Sequence, residues 1–142
     1  MDSSNQLLIH LIKTIQYRFV KATQGSKADF GVVKLNKHTR SPNEIIQHMY
    51  DLAVKTTCLI KGESFPVSSY QSLDFTGETN RFLDEMKELS LTIEEVTIDI
   101  VLCKKLLQGP ISDIITHIGQ IAMLSGLHGN KIPSESFYQA DI

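Results

Sequence analysis

An all-α fold, a four-helix bundle with a long crossover connection, is what this sequence predicts, on three observations. Four segments carry apolar residues at three- and four-residue steps, the period of helices that bury one face. Strand candidates are scarce, the best being one β-branched stretch after the third segment. The connections after the first and second segments are long, which suits crossovers better than tight up-and-down hairpins. A chain of 142 residues makes one domain, 1–142, and is too short for two typical ones.

The first helix is expected over residues 4–24. Leu7, Leu8, Leu11, Ile12, Ile15 and Phe19 form its stripe, with Ser3 or Ser4 placed to cap it and Gly25 to stop it. A polar connection follows to Arg40, anchored only by Phe30-Gly-Val-Val33. Ser41-Pro-Asn-Glu44 then opens a second helix, 42–61. Serine at the cap, proline at the first position and glutamate three residues after the cap make a capping-box start. Ile45, Ile46, Met49, Leu52, Ala53 and Ile60 give its stripe, Lys61-Gly-Glu63 ends it, and Ser64 to Phe75 reads as loop.

Thr76-Gly-Glu78 opens the third helix, 77–96, whose stripe is Phe82, Met86, Leu89, Ile93 and Val96. Thr97 to Cys103 is β-branched and is expected to be an extended connection. The fourth helix is expected over 110–127, with Pro110 as its first residue after Gly109 and Gly129 as its stop. A loop-like tail runs from Ile132 to Ile142.

Composition excludes several function classes. Lys and Arg total 14 against 16 for Asp and Glu, a net charge of -2, so no field draws the chain to nucleic acid or to an anionic membrane. No apolar run approaches the roughly 20 residues of a membrane span. The polar start Met1-Asp-Ser-Ser-Asn-Gln6 lacks the basic opening of a secretory leader, so a cytoplasmic protein with reduced thiols is expected. Cys58 and Cys103 lack the paired spacing of a zinc or redox motif and read as small core residues. There is no Walker-type phosphate loop and no nucleophile elbow.

Chemistry concentrates in Gly109 to Gln120. Asp113 and His117 stand four residues apart and so share one side of the fourth helix, together with Gln120 and Leu124. Ile111, Ile115, Ile118 and Ala122 make an apolar stripe elsewhere on it. One reading puts the isoleucines in the core and the Asp/His side in solvent. The other buries both, with a site inside the bundle and the isoleucines against another helix or subunit. An Asp-x-x-x-His pair supplies one oxygen and one nitrogen donor, and a second imidazole would complete a set suited to Zn(II), Fe(II), Mn(II) or Ni(II). Of the other histidines, His10 falls off its stripe, His38 lies in a basic loop and His128 at a helix end. His48 sits at the flank of the second helix, with Glu44 one turn before it as either a partner for its ring or only the capping-box residue.

Two segments bear a resemblance. Ser41-Pro-Asn-Glu-Ile-Ile-Gln-His48 resembles the second helix of the DinB-like superfamily, and Thr116-His-Ile-Gly-Gln-Ile-Ala-Met-Leu124 resembles its fourth-helix His-x-Gly-Gln segment. The resemblance implies a four-helix bundle with a long crossover, a homodimer, and a divalent metal held by three histidines. Carried across, His48 and His117 match two ligands, and Asp113 stands where the third histidine usually lies. Gln120 and Glu44 would lie beside the site. A subgroup with Gly-Pro-x-x-Asp-x-x-Thr-His-x-Gly-Gln and a closing Ala-Asp-Ile is closer still, matching Gly109 to Gln120 and Ala140 to Ile142. Relatives continue past that closure, which implies a further C-terminal segment. The implied function is a metal-dependent enzyme, a hydrolase or thiol-dependent transferase acting on a small molecule. The alternative is a non-catalytic dimeric stress-response or interaction protein that keeps the fold with a weak or vestigial metal site.

Overall fold

Helix α1 spans Ser3–Thr23, α2 Pro42–Lys61, α3 Phe75–Glu95, α4 Ile100–Leu106 and α5 Ser112–Leu127. The computed structural model describes residues 2–67 and 71–142, and among the described residues there is no strand. Ser68, Ser69 and Tyr70 of the expected Ser64–Phe75 loop lie outside them. Short 3-10 turns cover Ala28–Val32 and Phe137–Gln139. No helix of the described residues is long and apolar enough to cross a membrane.

Contacts at the two ends fix the direction of each helix. At one end Ser125 Oγ, late in α5, donates to the Ala22 carbonyl, late in α1, at 2.9 Å. Phe30 packs there against Phe75, the first residue of α3, and against His128, just past α5. Asn43, early in α2, lies so near Gly31 that a Cβ on that glycine would fall 2.3 Å from its Oδ1. At the other end Asn5 Nδ2 donates to the Ile93 and Val96 carbonyls at 2.9 and 2.6 Å, capping the last turn of α3. So α1 and α5 run one way and α2 and α3 the other. Helices α1 and α2, consecutive in sequence, stand across a diagonal, each packed on both α3 and α5. Helices α2 and α3 start at the same end and so run parallel.

The core follows the periodic residues. Ile12, Ile15, Phe19, Ile46, Met49, Phe82, Met86, Leu89 and Ile93 are fully buried, with Phe19 and Phe82 in tilted ring contact at 4.8 Å. Helix α2 begins as its capping box requires: Ser41 N donates to Glu44 Oε1 at 3.1 Å and Glu44 N to Ser41 Oγ at 3.3 Å. It ends at Gly62, whose φ of 70° is the left-handed conformation that glycine adopts without a Cβ clash.

Three expectations need correcting. Asp2, not Ser3 or Ser4, caps α1, its carboxylate accepting from Ser4 N at 2.8 Å. Asp74 caps α3, which therefore starts two residues early, at Phe75. The stretch 97–103 is not extended throughout: Asp99 caps a helix that begins at Ile100. The start of the last helix falls where expected: Gly109 leaves helical geometry at a kink after α4, and Pro110 stands first in the helical run that continues as α5.

Candidate functional site

The site is built where α2 meets α5. In α2, burial of Ile45, Ile46 and Met49 fixes which face points inward and leaves His48 half-buried at the flank. In α5 the buried apolar residues are Ile114, Ile118, Ile121 and Leu124, with Ile111 buried just before it. The inward face is thus rotated from the expected stripe of Ile111, Ile115, Ile118 and Ala122: Ile115 is 39% exposed and Ala122 half-buried. That rotation carries His117 to the α2 seam.

There the imidazoles of His48 and His117 pack edge to face, 5.0 Å between centroids at 75°. His117 Nδ1 lies 2.9 Å from Gln120 Oε1. An amide oxygen only accepts, so in the neutral ring Nδ1 carries the hydrogen and Nε2 keeps its lone pair. Neither ring nitrogen of His48 has a hydrogen-bond partner among the described residues. Burial lowers the His48 pKa below the ordinary histidine value, Arg40 and His117 adding to the effect and Asp51 opposing it. The neutral imidazole favoured there is the form that binds a metal or accepts a proton.

Asp113 stands apart, exposed, its carboxylate making no hydrogen bond or ion pair among the described residues. Among the described residues no three His, Cys, Asp or Glu side chains are grouped so as to hold a metal ion. Two imidazoles therefore stand together at the seam, and Asp113, one helical turn from His117 in α5, does not join them. Glu44 is occupied elsewhere. Its Oε1 accepts from Ser41 N and pairs with Lys34 at 3.2 Å, and these contacts hold its carboxyl below the usual range, the Ser41 bond contributing most. It serves the helix cap and makes no bond to His48.

Beside His117 opens a pocket of about 320 Å³ lined by Leu35, Thr39, Arg40, Ile45, His117, Gln120, Met123 and Leu124. Arg40 and Leu35 were expected only as parts of a polar connection. A signal for Arg40 did exist, since it immediately precedes the Ser41 cap and must lie beside the first turn of α2.

A larger groove, about 730 Å³, separates α1 from α5, with Leu11, Ile15, Ile115, Ile118 and Ala122 in its walls. The tail crosses it: Tyr17 Oη donates to Glu135 Oε2 at 2.7 Å and the Arg18 guanidinium lies 3.9 Å from the Phe137 ring centroid. No converged histidine pair faces it. His10 and His38 are exposed, as expected, and His128 Nε2 lies 3.3 Å from Asp29 Oδ1 at the end of α5. Cys58 and Cys103 are free and buried, and burial, before the charge of Asp2, pushes the Cys103 thiol up, so its reactive thiolate is disfavoured.

Compared with protein-family models, with curated proteins and with solved structures, the chain matches none of them.

Proposed function

We propose that this chain is a divalent-metal-binding helical bundle of the DinB-like type, a metal-dependent enzyme acting on a small molecule, with His48, His117 and Asp113 as ligands. The observation that carries the reading is the meeting of His48 and His117, 5.0 Å apart, from helices distant in sequence. Two features of the site support it. Gln120 fixes the His117 tautomer with Nε2 free, a common arrangement of metal-ligating histidines, and burial favours neutral His48. Antiparallel packing of α2 on α5, with parallel α2 and α3, suits the crossover bundle of that type. Bound, a divalent ion would supply Lewis acidity and lower the pKa of a water. The chain's own part is to hold the two imidazoles, orient one of them through Gln120, and admit a small molecule through the adjoining pocket. A homodimer belongs to the same reading, and sedimentation velocity measures it.

Metal analysis of untagged protein, purified without chelator, tests the assignment. Wild type is expected to hold a divalent ion that His48→Ala and His117→Ala lose, with Asp113→Ala weakened. Equal metal in wild type and His117→Ala overturns it. A second reading, a non-catalytic interaction protein with a weak or vestigial site, is favoured by the exposure of Asp113. Under it, Asp113→Ala leaves metal content and every assayed activity unchanged.

A further inference from the structure

The pocket beside His117 has a chemistry of its own. Its lining includes one permanent cation, Arg40, and no acidic residue. Arg40 has no ion-pair partner among the described residues, and Glu44 on the next turn is already held by Lys34 and by the helix cap. The remaining walls are mainly apolar, from Leu35, Ile45, Met123 and Leu124, and both Leu35 and Met123 expose about half their surface. At about 320 Å³ the pocket lies at the small end of the range for small-molecule sites.

We propose that this pocket binds a small carboxylate-terminated molecule with a short apolar chain, the carboxylate on Arg40 and the chain against Leu35, Met123 and Leu124. The inference rests on reading the His48–His117 seam as the working site, and it adds the class of molecule that site receives. A cation would meet Arg40 and find no acid in the lining. A neutral alkyl molecule would leave the guanidinium unpaired and gain only the apolar wall. A monocarboxylate satisfies the planar fork with two parallel N–H···O bonds and buries its chain against apolar wall. Gln120 offers a second donor, since its oxygen is taken by His117 while its amide nitrogen has no partner among the described residues. Seated there, the molecule lies against His117, the residue that faces both the pocket and the α2 seam.

Titration of hexanoate into the full chain, in the presence of chelator, tests this by following the His117 imidazole and Met123 methyl resonances. Saturable shifts at both are expected, with hexanol and hexylamine binding at least about tenfold more weakly, the usual cost of losing a charge-assisted pair. Arg40→Gln is expected to weaken hexanoate by about tenfold and to leave hexanol unchanged, while Arg40→Lys keeps part of the affinity. Arg40 is exposed, so the fold is retained, and an unchanged circular dichroism spectrum checks that. Hexanol binding as well as hexanoate, an Arg40→Gln variant that binds normally, or shifts absent from His117 and Met123 each overturn the proposal. A protein that holds metal but not hexanoate overturns this inference alone. One that binds hexanoate in this manner but never holds metal overturns the metal reading and keeps the pocket.

Discussion

Burial holds the His48 imidazole below the ordinary histidine value of 6.5, and the consequence for stability has a definite sign. Above 6.5 both folded and unfolded chains are neutral at this position. Below it the unfolded chain takes up a proton that the folded chain resists, so stability falls as pH drops from about 6.5 through the folded pKa. Urea midpoints measured across that window should decline for wild type, and His48→Gln should remove the part of the slope due to this residue. The Glu78–Arg81 pair makes a larger demand. Glu78 is 1% exposed and its partner also donates to the Gln71 carbonyl at 2.9 Å and lies over the Tyr50 ring. Glu78→Ala takes the carboxylate away from a largely buried guanidinium that keeps its bond to Gln71, and should cost about 1–3 kcal/mol in urea denaturation. Restoring part of that loss with Arg81→Met in the same chain would identify the lost ion pair as its source. Neither residue stood out in the sequence, where a glutamate near a helix start reads simply as a favourable dipole contact.

At the scale of elements, the Ser41-Pro-Asn-Glu44 box fixes where α2 starts and hence which turn carries His48. Ser41→Ala should lower stability by about 0.5–2 kcal/mol and increase amide exchange in the first turn of α2. This start was legible because its bonds are local, made among four consecutive residues. The face of α5 was not. Residues 111, 114, 115, 118, 121 and 122 are all apolar, so two overlapping stripes fit the same period, and only packing against α1 and α2 selects Ile114 and Ile121 over Ile115 and Ala122. The Gly109-Pro110 step, by contrast, was legible, because a break at the glycine with proline as the first helical residue after it is a local signal. The pairing of His48 with His117 was legible through the resemblance, whereas the separation of Asp113 from them depends on side-chain placement that spacing does not encode.

For the whole molecule, the tail beyond α5 acts as part of the fold. It lies across the α1–α5 groove through Glu135 and Phe137, and Asn130 Nδ2 donates to the Gln24 carbonyl at 2.8 Å. Removing residues 130–142 should uncover apolar wall from Ile15 and Ile118, raising binding of a hydrophobic dye and lowering the melting temperature, both measurable on the shortened chain. The diagonal placement of α1 and α2 has a further effect, felt while the protein is being made. The apolar stripe of α1 packs on α3 and α5 and cannot be completed by the helix that follows it. Synthesis proceeds at about 5–20 residues per second, so the stretch from Thr23 to Phe75 takes roughly 3–10 s. For that interval Ile12, Ile15 and Phe19 leave the ribosome with no native partner, a window in which a chaperone, or another nascent chain, competes with the fold for the same surface.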